Sequence, residues 1–333
     1  MMDELKEYEK RKRDMVKLWE KTFHDSKRYI DLVFDAYFTL DNSFVRYDGD
    51  RLIAALLGVS YLFNMLEETG DKKTIIGFYL CGLATEPEWR RRGIMSQLME
   101  EAEMAAKERG YEMTFLIPAD DQLREYYHKK GYKTSSFMTR TEYKRPFDLS
   151  DRSVEKMNIY TIKDFFDKDY FLKDLAEECR KIDERRNPPS IVHSSEDFLT
   201  IMSENENSFF LTKPSFDPKY PILANVRAVV FPQPIDNKKD MVRIVGVYDI
   251  ENLLEYEEHS QTNNLSRDVS KREIIDEIFL KYGYTRIEFL MPCSDVKEEN
   301  GRVVPYAMIK PLGESVNSAL NQNRNFEISL MLD

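Results

Sequence analysis

Cysteine is scarce: Cys81, Cys179 and Cys293 are the only three in 333 residues, far apart and in no CxxC pair. That excludes a disulfide framework and a thiolate zinc site, and it fits a reducing compartment, so a cytoplasmic location is expected. Histidine is sparse as well. His24, His128, His193 and His259 form no HxxxH or HxxE spacing, so no metal is expected. Long apolar runs are absent; the longest, around Ile75 to Ala84, is too short and mixed to span a bilayer, and the charged N-terminus MMDELKEYEKRKRDM has no apolar core of a signal peptide. Positive charge is in deficit, with 49 Lys and Arg against 60 Asp and Glu and a formal charge of -11. This opposes sequence-independent binding to nucleic acid or to an anionic membrane.

What is present suits two folded domains, because the chain is 42% hydrophobic and long enough for two cores. From Arg11 to Phe38 apolar residues recur at helical spacing, with a break at His24-Asp25-Ser26 that predicts two helices. Ser43–Arg46, Asp50–Leu62 and Thr74–Thr85 read as an antiparallel meander, separated by Asp48-Gly49-Asp50 and by Glu67 to Lys73. A helix ending at Gly110, a buried strand at Met113–Pro118 and a short helix at Asp121–Lys130 follow, and a linker is expected near Arg145-Pro146. The second half reads as helices at Ile162–Ile182 and Ser195–Met202, then strands at Ser208–Thr212, Val226–Phe231 and Val242–Ile250. A helix at Ser270–Tyr282 and strands at Ile287–Met291, Val304–Ile309 and Phe326–Leu332 complete it.

Both halves therefore share one order of helices, strands, helix and strand. Letters repeat too: Arg109-Gly110-Tyr111 leads to Phe115-Leu116-Ile117-Pro118, and Tyr282-Gly283-Tyr284 leads to Phe289-Leu290-Met291-Pro292. Duplication is the reading preferred here. The copies differ where chemistry would sit, since the place equivalent to Gly93 falls on Ser266, in a segment with no glycine.

Between the third strand and the following helix stands Trp89-Arg90-Arg91-Arg92-Gly93-Ile94-Met95-Ser96. A helix N-terminus carries unpaired N–H groups and the positive end of the macrodipole, so a tight loop feeding into it suits a phosphate or pyrophosphate. Gly93 lets backbone approach the ligand, Arg92 to Ser96 supply N–H donors, and the arginines neutralise further oxygens. The bland alternative is a solvated turn. The segment is neither a Walker loop nor a dinucleotide fingerprint.

Leu83-Ala84-Thr85-Glu86-Pro87-Glu88-Trp89-Arg90-Arg91-Arg92-Gly93-Ile94-Met95, the helix after it and Tyr126-Tyr127-His128-Lys129-Lys130-Gly131-Tyr132 resemble the GNAT (GCN5-related) N-acetyltransferases. Arg90 and Gly93 fill two fixed places of that family's loop, and Met95 stands where a small residue is usual. The doubled order is more loosely similar to the enhanced-intracellular-survival group. The resemblance implies an α+β fold, a mixed sheet flanked by helices, duplicated with a degenerate second copy. Its domains would be an acetyl-CoA-binding one over 1–146 and a second over 147–333, for which a sterol-carrier-like domain is the alternative. It implies acetyl-CoA as cosubstrate, its pyrophosphate on Arg92, Gly93, Ile94, Met95 and Ser96, its pantetheine arm along Leu83, Ala84 and Thr85, and its 3'-phosphate near Arg90 or Arg91. Tyr127, four residues before Gly131, takes the place of the tyrosine that protonates the leaving thiolate; Tyr126 is the fallback, expected to pack inward. The same group suggests the terminal carboxylate of Asp333 as base, on a C-terminal strand reaching the first site.

The expected activity is acetyl transfer from acetyl-CoA directly to a primary amine, on a small molecule, a lysine or a protein N-terminus. The rival is a catalytically silent acyl-CoA-binding or ligand-sensing protein. Glu86 and Asp120 are further carboxylates read first as capping or surface residues, His193 as a helix entry, and Cys81 as core.

Overall fold

The structure, a computed structural model, describes residues 2–67, 69–146, 157–186, 188–205, 207–235, 238–250, 271–292 and 301–330. Backbone contacts divide the chain into two units, Met1–Ser136 with Tyr306–Phe326, and Phe137–Pro305 with Glu327–Asp333.

The first unit opens with α1 (Met2–Phe23) and α2 (Lys27–Tyr37). They part at the expected break: His24 has a positive φ, and the Ser26 side chain caps α2 by accepting from the Tyr29 N–H. Met15, Leu18 and Trp19 of α1 and Ile30, Val33 and Phe34 of α2 are buried, which is the apolar face the sequence pattern marked. The meander follows as β1 (Ser43–Asp48), β2 (Arg51–Leu66) and β3 (Lys72–Thr85), paired antiparallel. Next come α3 (Ile94–Glu108), β4 (Met113–Leu116), α4 (Asp121–His128) and β5 (Lys133–Thr134). The parallel step from β3 to β4 needs a crossover, and α3 supplies it. The sheet order is β1-β2-β3-β4-β14-β5, where β14 (Met308–Pro311) arrives from the far end of the sequence and pairs antiparallel with both β4 and β5. After it α8 (Glu314–Asn321) is held by Lys73, whose ammonium donates to Glu112 and to Ser315.

In the second unit β6 (Phe137–Lys144), β7 (Asn158–Thr161), α5 (Asp169–Arg185), β8 (Ser190–Val192) and α6 (Ser195–Glu204) precede β9 (Phe209–Thr212), β10 (Val226–Pro234) and β11 (Met241–Asp249). Then come α7 (Lys271–Tyr282), β12 (Arg286–Pro292) and β13 (Arg302–Pro305). Their seven-stranded sheet runs β13-β6-β12-β11-β10-β9-β7. One apolar cluster lies on its α5–α6 side, around Phe171, Phe198 and Phe231, and another on its α7 side, around Ile275, Phe279 and Phe289.

The two sheets repeat one plan. Each has a parallel pair, β3 with β4 and β11 with β12, bridged by α3 and by α7. In each, the strand beside that pair comes from the other half of the sequence: β14 enters the first sheet and β6 the second. The chain thus crosses between units at Ser136–Phe137, ahead of the linker read at Arg145-Pro146. Two further sequence readings change. Val304–Ile309 is two strands in two sheets, because Pro305 ends β13 and the chain turns at Tyr306-Ala307. Phe326–Leu332 is not a strand through Leu330; it makes one isolated bridge, Glu327 with Ser190.

Candidate active site

β3 and β4 pair only from Gly77 to Tyr79 against Met113 to Phe115. Beyond that point β3 runs on to Thr85 while β4 stops at Leu116, so the strands part and the β4-facing edge of β3 at Leu83, Ala84 and Thr85 is left unpaired by β4. The other edge stays on β2, with Ala84 opposite Ala55 and Thr85 opposite Ala54. Between these pairs and Cys81 opposite Leu57 the register shifts, because β3 carries one residue more than β2. Gly82, at φ +59°, forms that bulge, and a Cβ there would lie 2.1 Å from Cζ3 of Trp19. The Trp19 indole is itself fixed, its N–H donating to Asp25 at 2.7 Å. Sequence periodicity marked Trp19 as part of the apolar face of α1 but did not single out Gly82, although a glycine inside a strand pattern is the signal for a bulge or a close approach.

The strand leads through the 3-10 turn Pro87–Trp89 to the basic loop. Arg90 Nε donates to the Thr85 carbonyl at 3.0 Å, and Arg92 donates to the Glu88 carbonyl at 3.0 Å while its guanidinium lies 4.6 Å from the Trp89 ring. All three arginines are exposed. Arg91 and Gly93 both have positive φ, and Gly93 is the residue before α3, with open space where a Cβ would stand. The first helical bond is Gln97 N–H to the Gly93 carbonyl, and no side chain caps α3. The N–H groups of Ile94, Met95 and Ser96 are therefore orphan donors at the positive end of a 15-residue helix, beside the opening between β3 and β4. Met95 leaves that approach clear, because its side chain and that of Ile94 pack on the core formed by Leu98, Met99 and Tyr127.

Tyr127 is 7% exposed, its ring edge-on to Tyr126 at 5.3 Å and to Tyr132 at 6.1 Å. Burial pushes its hydroxyl up to about 12, with the neighbouring Tyr126 and Asp120 adding to the shift, so it stays protonated. The order expected for the pair is reversed: Tyr126 is the half-exposed one, and its hydroxyl stands 2.9 Å from Ser96 Oγ at the start of α3. Of the other carboxylates, Asp120 caps α4 through the Leu123 N–H. Buried Glu86 is held by Lys21 and Arg51, beside a cavity of about 250 Å³ that Asp14, Lys17 and Asp50 also line. Cys81 lies in β3 but is half-buried rather than in the core expected for it, and His193 directly precedes the Ser194 cap of α6. Asp333, Ser266, His259 and Cys293 lie outside the described residues. Among the described residues no three His, Cys, Asp or Glu are grouped to hold a metal, and no helix is long and apolar enough to cross a membrane.

Residues 5–135 match the sequence profile of the acetyltransferase (GNAT) domain. Among solved structures, a probable N-acyltransferase from Enterococcus faecalis superposes with a TM-score of 0.62 at 12% identity, over 90% of this chain and 70% of that one. Eis1 from Mycobacterium abscessus gives 0.58 at 12%, over 95% and 74%. A GCN5-related N-acetyltransferase from Anabaena variabilis gives 0.56 at 10%, over 90% and 70%. At such identities the likeness is one of fold. No functionally curated protein matches the sequence.

Proposed function

We propose that this chain, whose residues 5–135 match the profile of a GNAT domain, transfers an acetyl group from acetyl-CoA to a primary amine. The observation that carries the reading is the parting of β3 from β4 beside the uncapped start of α3. An unpaired strand edge suits the amide-bearing pantetheine arm, and orphan N–H donors suit a pyrophosphate. Leu83, Ala84 and Thr85 hold the arm; the N–H groups of Arg92, Gly93, Ile94, Met95 and Ser96 hold the pyrophosphate; Arg90 and Arg91 face the 3'-phosphate. Acetyl-CoA supplies the acyl group as a thioester, and the amine attacks it with no covalent enzyme intermediate. The strand backbone of β3 helps hold the polarised carbonyl.

Tyr127 donates its hydroxyl hydrogen to the departing sulfur. A phenol near 12 is a weaker acid than an ordinary thiol, so donation to a solvated thiolate would run uphill. The apolar surroundings that raise the phenol would raise a thiol beside it in the same way, which restores the match. The formal charge of -11 favours a cationic acceptor.

Calorimetric titration with acetyl-CoA, and in parallel with coenzyme A lacking its 3'-phosphate, tests the site. One saturable site per chain, weakened by loss of that phosphate, is expected; absence of binding at millimolar ligand would end the acetyltransferase reading. The burial of Tyr127 favours a second reading, a silent acyl-CoA sensor. Tyr127→Phe separates the two. In the enzyme, turnover falls by about 100-fold or more while acetyl-CoA affinity holds; in the sensor nothing functional changes.

A further inference from the structure

Beneath the proposed acid lies a polar group of side chains that no step above uses. Glu103 of α3 is 9% exposed and faces inward among apolar residues, where a carboxylate is costly unless paired. One of its oxygens accepts from the Tyr132 hydroxyl at 3.0 Å and the other from the Lys310 ammonium at 2.6 Å. Tyr132 is 1% exposed, and its oxygen in turn accepts from the Thr114 hydroxyl at 3.0 Å, since its own hydrogen is spent on Glu103. Lys310 stands opposite Thr114 in the register of β14 with β4, and its ammonium lies 5.7 Å from the centre of the Tyr132 ring. Two elements, α3 and β4, thus meet on one hydroxyl, and β14 is tied to it through Glu103.

That hydroxyl belongs to the residue that fixes Tyr127. The Tyr132 N–H donates to the Tyr127 carbonyl at 3.1 Å, closing the turn after α4, and the two rings pack edge to face. The Tyr127 ring packs among Leu98, Met99 and Tyr126 and edge-on to Tyr132, so what holds Tyr132 helps to set its place.

We propose that Lys310, delivered by the C-terminal strand β14, is a positioning residue for Tyr127, acting through Glu103 and Tyr132. The proposal rests on Tyr127 being the acid of the transferase reading, and it assigns a role to a residue distant in sequence from every motif of the site. Removing the ammonium leaves Glu103 buried with a single neutral donor. The carboxyl then takes up a proton or draws in water, and Tyr132 loses its fixed acceptor.

The test uses the full chain labelled with 3-fluorotyrosine, the Tyr127 fluorine resonance being identified by its loss in Tyr127→Phe. In Lys310→Met that resonance shifts and broadens, and Lys310→Arg, which keeps the charge and the donors, brings it back. Tyr132→Phe keeps the ring and deletes only the hydroxyl, so it moves the Tyr127 signal even where Lys310→Met fails to fold. A Tyr127 resonance unchanged in Tyr132→Phe, or in a folded Lys310→Met, overturns the proposal. Acetyl-CoA titration of the unmutated chain is run alongside. Its failure removes the cofactor reading, whereas an unmoved fluorine signal removes only the role given to Lys310.

Discussion

Gly82 shows how one position can be demanding in two ways at once. Its φ of +59° is a left-handed conformation that L side chains avoid, and its missing Cβ is the space that Trp19 occupies. Gly49, at φ +57° in the β1–β2 turn, has the same conformation with nothing within 4 Å. Alanine at Gly49 should therefore cost about 1 kcal/mol of backbone strain. Alanine at Gly82 should cost that plus about 1–3 kcal/mol of overpacking against a fixed indole. Urea unfolding of the two variants checks the difference, and equal losses would mean that the indole yields freely. At this scale the sequence was read well where a residue type has few uses. The basic stretch with Gly93 stands at the head of an uncapped helix, and Asp120 is a cap. It was read poorly where meaning depends on a partner far along the chain. Nothing near Gly82 announces Trp19, and adjacent Tyr126 and Tyr127 differ in burial only because of how α4 is turned on the sheet.

At the scale of elements, the second unit joins helix ends and a strand through Asp183 in the last turn of α5. The carboxylate is fully buried. One oxygen meets His193 Nδ1 at 2.6 Å, and the other meets the Tyr248 hydroxyl of β11 at 3.1 Å and Arg186 Nε at 3.2 Å. Burial alone would raise this carboxyl, but Arg186 and His193 outweigh it and hold it below its ordinary value. A group depressed on folding stabilises the fold fully above its unfolded pKa of about 4, and that contribution is lost as pH falls through the lower folded value. Asp183→Asn leaves Arg186 buried without its counter-charge, so a loss of about 3–5 kcal/mol is expected. Urea unfolding of both proteins between neutral and acid pH should show the gap closing below about pH 4; a gap that stays constant would show that the charge of Asp183 is not what matters. The sequence reading placed His193 at a helix entry, which is correct, and the capping box of Ser194 and Asp197 follows it. Asp183 and Glu178 are buried on the same helix whose other acidic residues face outward, which periodicity alone did not mark.

At the scale of the whole chain, the exchange of β6 and β14 decides what can be cut. A chain ending at Arg145 keeps every motif of the proposed cofactor site but lacks β14, the strand between β4 and β5, along with α8 and Lys310. It should fail to unfold cooperatively in urea and should not bind acetyl-CoA, despite covering the whole stretch that matches the family profile. A cooperative transition in that fragment, with binding intact, would show that the borrowed strand is dispensable. The order of the longer helices and strands was legible because periodicity reports which segments are which, and the fold class came with the family resemblance; β5, β6, β7 and β8 went unread. Which sheet a strand joins was not legible, since alternation fixes the faces of a strand and says nothing of its neighbours. Val304–Ile309 illustrates this: its apolar letters were right and its single assignment was not.

The late arrival of β14 also sets a timetable. During synthesis the residues of the proposed cofactor site leave the ribosome long before Met308, yet β4 and β5 must wait for that strand before their facing edges are paired. Pairings so far apart in sequence form slowly. A translation product interrupted anywhere between Tyr132 and Met308 would carry the arginine loop and the tyrosine without the strand that completes their sheet. The proposed cofactor site would then be complete only once β14 has been synthesised, a dependence written into strand order.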